Sequence, residues 1–312
     1  MDFQAFRSNP LPLPEQGLEL RVEPGTPLRA IARRLADQGV LEHPYYLVVL
    51  ARYLGLDARI QAGEYRLQGD TTPEELLEQL SSGKVVQYAL TLVEGQTFRE
   101  MMQRIAEDPH LLHTLEDTSP AAVMAAIGYP GLHPEGRFLP ETYHFPAGTT
   151  DRAFLLRAYR AMDDFLARAW AQRDPDLPLK TPYEALILAS IVEKETGLAA
   201  ERPRIAGVFI RRLRRGMRLQ SDPTIIYGLG ERYDGDIRFR DLRTDTPYNT
   251  YTRDGLPPTP IAMPGKAAIL AVLHPAAGEA LYFVGRGDGS HVFSRTLVEH
   301  NRAVDRYQRK RK

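Results

Sequence analysis

The segment Thr181–Gly197, TPYEALILASIVEKETG, constrains the fold of this chain more than any other. Thr181, Pro182 at the first helical position and Glu184 three residues after the cap predict a pre-organised helix start with a capping box. Ala185 to Val192 is then almost entirely apolar, and Glu193-Lys194-Glu195 precedes a glycine stop at Gly197. A helix apolar on most faces is buried, so the protein has to be built around this one. Its last turn carries two carboxylates to the edge of the interior, where the helix dipole disfavours negative charge. Acids held there have raised pKa values, which a general acid working near neutral pH requires. The bland alternative for the same residues is a solvated helix end in which Lys194 serves as a partner.

At 312 residues the chain has room for two domains of typical size. Lys+Arg and Asp+Glu number 40 each, so no global positive charge points to nucleic acid. No run approaches the ~20 apolar residues that span a bilayer, and Met1–Phe6 has no apolar core of a signal peptide. Cysteine is absent, which removes disulfides, thiol catalysis and Cys-based zinc sites and fits an oxidising compartment without establishing one. The eight histidines show no His-Glu-x-x-His pair, and there is no Gly-x-Ser-x-Gly elbow, Walker loop or dinucleotide fingerprint. No metal or other cofactor is expected.

Residues 8–17 read as an extended Pro-rich lead-in. A pattern of short strand, glycine turn, threonine cap and helix then occurs three times. It covers Leu18–Val22 with Thr26 and helix 27–37, Glu64–Leu67 with Thr72 and helix 73–80, and Tyr88–Val93 with Thr97 and helix 98–106. Thr72/Glu75 and Thr97/Glu100 have capping-box spacing. The expected class is α+β: a small α+β module over 18–90, then a domain over 91–312 with a helical core and a loop- and strand-rich C-terminal half. Helices are predicted from Ser119-Pro120, from Thr150-Asp151 to about Arg173, and over 201–215. Arg211, Arg212, Arg214 and Arg215 crowd the end of the last one, either complementing a solvated helix terminus or binding an anionic polymer. From 217 to 290 the texture turns to Gly, Pro, Tyr, Asn and Asp, which suits a polar-ligand groove or ordinary surface loops. Leu281–Val284 and His291–Ser294 read as two strands around a turn.

Taken in order, Glu94-Gly95, Glu135-Gly136, Leu139-Pro-Glu-Thr-Tyr143, Glu193-Lys-Glu-Thr196, Leu219-Gln-Ser-Asp-Pro-Thr-Ile-Ile-Tyr-Gly228, Tyr248-Asn-Thr-Tyr251, Gly255-Leu-Pro-Pro258, His274-Pro275, Tyr282-Phe-Val284 and His300-Asn301 resemble the endolytic murein transglycosylase family MltG, also called YceG-like. The resemblance covers about residues 18–310. It implies a LysM-like module, to whose opening Val22–Ala32 is similar, and a catalytic domain with a lysozyme-like active-site helix. It implies cleavage of the β-1,4 MurNAc–GlcNAc bond inside nascent peptidoglycan strands, leaving 1,6-anhydro-MurNAc ends and so terminating glycan elongation. It also implies a penicillin-binding-protein synthase as partner and a single-pass anchor in the inner (plasma) membrane, with the catalytic part periplasmic. This sequence lacks that anchor, and residues 1–17 read as a lead-in trimmed just beyond it.

A transglycosylase of this kind can work with one carboxylate, which gives its proton to the glycosidic oxygen and recovers one from the C6 hydroxyl. Glu195 is the expected acid, because Glu195-Thr196 resembles the Glu-Ser pair of lysozyme-like transglycosylases. Glu193, about 200° around the helix at 3.6 residues per turn, is the runner-up. Gln220, Ser221, Asp222, Tyr248, Asn249 and Tyr251 are expected to bind the sugars, with Glu141 and Tyr143 lining the same cleft. The competing readings are a lysozyme-type hydrolase and a non-catalytic peptidoglycan-binding scaffold.

Overall fold

The computed structural model describes residues 3–309 and is mixed α and β. Its helices are α1 (Phe3–Ser8), α2 (Leu28–Asp37), α3 (Pro44–Leu54), α4 (Pro73–Ser82), α5 (Phe98–Ala106), α6 (Pro120–Ala126), α7 (Asp151–Ala171), α8 (Pro182–Glu195), α9 (Arg202–Arg214), α10 (Asp222–Leu229), α11 (Phe239–Arg243), α12 (Lys266–Leu273) and α13 (Leu297–Tyr307). Its strands are β1 (Leu18–Val22), β2 (Gly63–Leu67), β3 (Gln87–Thr91), β4 (Thr142–Pro146), β5 (Tyr282–Gly285) and β6 (His291–Ser294), paired β1 with β2, β3 with β4 and β5 with β6. Among the described residues no helix is long and apolar enough to cross a membrane.

The chain divides into two units. The first holds residues 1–90 together with 108–112 and 143–150. In it the antiparallel pair β1–β2 runs from Leu18 opposite Leu67 to Val22 opposite Gly63. Strand alternation turns Leu20, Val22, Tyr65 and Leu67 inward, where they join Ile31, Leu35, Leu47, Leu50, Leu76 and Leu80 in one core. The lead-in contributes to this core: residues 3–8 are helical, and Phe6 and Leu11 are buried.

The second unit holds 91–107, 113–142 and 151–312. Its centre is α8, every residue of Ala185–Val192 buried, packed by α7, α9, α10 and α12. Ile205, Phe209, Ile269 and Val272 meet Leu188, Ile191 and Val192 in its core.

Several local expectations are corrected. Thr181 Oγ1 accepts the Glu184 N–H at 3.2 Å, but Glu184 reaches past the cap to the Lys180 N–H, so the box is half made. The helix ends on an extended Thr196 rather than on a glycine turn at Gly197. Pro27, with no side-chain bond, caps α2 in place of Thr26. The stretch Asp222–Leu229, expected as loop, is helical: Pro223 is compatible with its first turn and the helix packs on α8.

Candidate active site

Burial of α8 fixes where its last turn points. Ser190 Oγ donates to the Ile187 carbonyl (2.7 Å) and accepts the Ile261 N–H (2.9 Å), tying the helix to the 260s loop. Glu195 then lines a cavity of about 460 Å³ whose walls include Arg212, Gln220, Asp222, Tyr251 and Tyr282. Burial pushes the Glu195 carboxyl up to about 7, a rise that Asp222 reinforces and the Ser221 hydroxyl and Arg212 oppose. Ser221 Oγ donates to Glu195 Oε1 at 2.5 Å. Thr196, which follows Glu195, accepts the Leu198 N–H at 3.0 Å.

Ser221 can aim at Glu195 because the chain bends sharply before it. Gln220 sits at φ +51, a left-handed conformation that a residue with a Cβ adopts only where its surroundings hold it. Here they do: the N–H groups of Gln220 and Ser221 donate to Thr250 O and Thr250 Oγ1 at 3.1 and 3.0 Å. Ser221 occupies the cap position of α10 yet makes no side-chain cap bond, leaving its hydroxyl for Glu195. Asp222 accepts the Tyr251 hydroxyl at 2.5 Å, and burial, then Asp222, raises the Tyr251 pKa, so the phenol stays a donor.

The remaining expected residues are placed as follows. Asn249 is buried outside this cavity. Its amide donates to the carbonyls of Asp241, Leu242 and Thr244, and its oxygen accepts the Tyr251 N–H at 2.8 Å, so it holds the loop that presents Tyr251. Tyr248 shares a bond with Thr259 Oγ1 at 2.9 Å and lines a second cavity with Glu135 and Tyr227. Glu141 pairs with Lys266 at 3.0 Å, and Tyr143 is buried in the first unit; neither lines the Glu195 cavity. Glu193 accepts the Gly265 N–H at 2.9 Å on one oxygen and Arg202 at 3.2 Å on the other. Burial raises its pKa while those two donors work against the rise. Both its oxygens therefore serve as acceptors in a structural tie.

Arg212 is the residue that reading from the sequence missed. It is buried, not solvated, and donates to the carbonyls of Leu281 (2.7 Å) and Leu219 (2.8 Å), joining β5 to the approach to Gln220. Arg211 likewise donates to the carbonyls of Ala280 (2.8 Å) and Ala276 (3.1 Å). The available signal was their position one turn from the end of an apolar stripe, which puts two of the four arginines on the packed side of α9. The rings of Tyr282 and His300 stack at 5.3 Å on the same cavity wall.

A glutamic acid kept protonatable near neutral pH, in a polar, tyrosine-bearing cavity at the end of a buried helix, is an arrangement able to serve acid–base chemistry. The sequence model of the YceG-like family matches residues 20–306, and the chain belongs to that family. It is 29% identical over 307 residues to the endolytic murein transglycosylase of Bacillus subtilis, covering 93% of this chain and 84% of that one. The endolytic murein transglycosylase of Streptococcus pneumoniae (strain D39) is 28% identical over 90% of this chain, which spans 56% of that longer protein. A solved YceG-like protein from Listeria monocytogenes superimposes with a TM-score of 0.57 at 28% identity, covering 93% of this chain and 99% of that one.

Proposed function

We propose that this chain is an endolytic murein transglycosylase, with Glu195 as its single general acid and base. The observation that carries the assignment is the Glu195 carboxyl itself: pushed up to about 7 and lining a polar cavity beside Ser221, Asp222 and Tyr251. The names of the relatives supply the substrate, murein. In this reading Glu195 gives its proton to the oxygen of the β-1,4 bond between MurNAc and GlcNAc, and the C1–O bond breaks as GlcNAc leaves with its hydroxyl. The sugar's own N-acetyl oxygen supports the positive charge at C1. The C6 hydroxyl then attacks C1 and returns its proton to Glu195, leaving a 1,6-anhydro end with no water consumed. Holding the C6 hydroxyl next to C1 replaces an activated water. Ser221 occupies Oε1, so the transferable proton belongs on Oε2. Asp222, held by Tyr251, orients the sugar.

Residues 18–90, which open with the run β1–α2–α3–β2, are proposed as a LysM-like module, supported by the likeness at Val22–Ala32, and the α8-centred unit as lysozyme-like. We propose further, from the resemblance to the family, that the protein works outside the cytoplasm from an anchor in the plasma membrane, with a penicillin-binding-protein synthase as partner and chain termination as the outcome.

The test is digestion of defined, uncrosslinked glycan. Removing a general acid costs roughly 10²–10⁴-fold in rate, so Glu195→Gln is expected to lose at least 100-fold while Glu193→Gln keeps most of its turnover. Products of the parent should be one water lighter than those of a hydrolase. Reducing MurNAc ends, or full activity in Glu195→Gln, would overturn the proposal.

A further inference from the structure

The second cavity has no part in the chemistry above, yet its lining is consecutive in the chain with that of the first at two places. It encloses about 740 Å³ and is lined by Tyr227, Tyr233, Tyr248, Glu135, Arg99 and Lys194, among others. Lys194 lines this cavity and Glu195 the other; Pro223 lines this cavity and Asp222 the other. Neighbouring Cα atoms are about 3.8 Å apart, so the end of α8 and the start of α10 are each flanked by both cavities, with Glu195 on the side of the first.

The lining suits a sugar. The Tyr227 and Tyr248 rings meet edge to face at 4.8 Å, giving apolar faces for pyranose carbons. The Tyr227 hydroxyl donates to Glu135 Oε2 at 3.0 Å, and the Phe98 N–H donates to Glu135 Oε1 at 2.9 Å. Glu135 is thereby held rigidly at the cavity with carboxyl lone pairs left over to accept sugar hydroxyls. The volume lies within the ~300–1,000 Å³ of small-molecule sites.

An enzyme that cuts inside a strand has to hold sugars on both sides of the broken bond, and the second cavity offers a further sugar-sized space next along the chain from Glu195. We infer that the Glu135–Tyr227–Tyr248 cavity binds the glycan repeat on the far side of the scissile bond, so that the strand passes the end of α8 at Glu195. This rests on the transglycosylase reading. It gives the Glu135-Gly136 and Tyr248 segments a role that the Glu195 cavity does not.

The experiment uses the full chain carrying Glu195→Gln, which binds without cutting, and peptide-free glycan of two lengths: a disaccharide and a strand of several repeats. Binding is followed by calorimetry, and amide exchange is compared with and without glycan. Tyr233→Ala, at a half-buried position after α10, is added as a second change. The long strand is expected to bind Tyr233→Ala/Glu195→Gln about 3- to 10-fold more weakly, as for loss of one ring contact, with disaccharide binding changed less. Protection by the long strand is expected at residues 97–100 and 226–233 as well as at 219–222. If the Glu195→Gln protein binds no glycan at all, the functional reading fails. If it binds with 219–222 protected but 226–233 unprotected, and Tyr233→Ala changes nothing, this inference alone fails. If the loss appears only with peptide-bearing strands, the cavity serves the stem peptide and the inference is likewise overturned. Should Tyr233→Ala misfold, the exchange pattern of the single variant decides.

Discussion

Glu195 and Gln220 carry opposite kinds of strain, one electrostatic and one conformational, and each makes a measurable prediction. The folded protein holds a proton on Glu195 up to about pH 7, whereas the unfolded chain releases it near 4.5. The folded state therefore binds more protons between those values, so the stability tied to this group is complete below about 4.5 and is lost as pH rises through 7. Glu195→Gln removes the effect. Its stability is expected to match the parent's at pH 4.5 and to exceed it at pH 8 by on the order of 3 kcal/mol, seen as a higher melting temperature. Scanning calorimetry at the two pH values checks this. The same carboxyl, as acid, sets an alkaline limb near pH 7 in kcat/KM, which glycan digestion across pH 5–9 would expose. At Gln220 the left-handed φ costs an ordinary residue about 1–2 kcal/mol. The expected order of melting temperature is Gln220→Gly at or above the parent, then Gln220→Asn, then Gln220→Val well below, since a β-branched residue tolerates that φ least. Activity should fall in all three, because the side chain meets Arg212 and lines the cavity. Glu195 and Asp222 could be named from the sequence through its resemblance to family motifs, and the two line one cavity. The bend at Gln220 could not, since no glycine marks it. Asn249 read as a ligand residue because an amide looks the same whether it faces sugar or carbonyls.

Among the elements, α9 shows how a single missing Cβ sets the position of another segment. Gly207 lies inside the helix, where alanine ordinarily stabilises by close to 1 kcal/mol. Here a Cβ would stand 2.6 Å from the Ala276 carbonyl oxygen, a backbone atom that is itself held by Arg211 at 3.1 Å. The Ala276 N–H in turn donates to the Pro203 carbonyl at 2.9 Å, so the segment cannot retreat without breaking bonds at both ends. Gly207→Ala is therefore expected to destabilise by about 1–3 kcal/mol, the reverse of the propensity trend, as a lowered urea midpoint at unchanged m-value. A gain in stability would show that residues 275–280 are loosely held and that β5 is not fixed through α9. The helices that could be read from sequence were those with a cap or an apolar run, such as α4, α5, α7 and α8. The helix α3 went unread because its apolar residues flank aromatic ones without a clean stripe, and α10 because Gly228 and the Asp-Pro start resemble a turn. Tertiary packing against α8, not local preference, makes α10 helical.

For the whole molecule, the threading of the chain matters more than its length. Residues 108–112 and 143–150 belong to the first unit although they come after residue 90, and nothing periodic in either segment ties it there. Tyr88 stacks on His110 at 3.5 Å and its hydroxyl donates to Glu64 at 2.7 Å. The segments are bound to each other by Leu112 N–H to Thr149 O at 2.9 Å and Gly148 N–H to His110 O at 3.2 Å. A chain cut to residues 91–312 keeps the α8 core and every residue of both cavities, but it loses β3 up to Leu90 and with it the partner of β4. That leaves an open strand edge, a template for association. It also removes most of the unit to which the buried Tyr143 and Phe145 belong, and each large side chain returned to water costs about 2 kcal/mol or more. The cut chain is expected to self-associate in size-exclusion chromatography, to bind a hydrophobic dye and to melt below the intact protein, while Phe145→Ser/Tyr143→Ser within it should reduce association without restoring the melting temperature. A monomeric, dye-free 91–312 that melts with the parent would mean that 108–112 and 143–150 owe nothing to the first ninety residues.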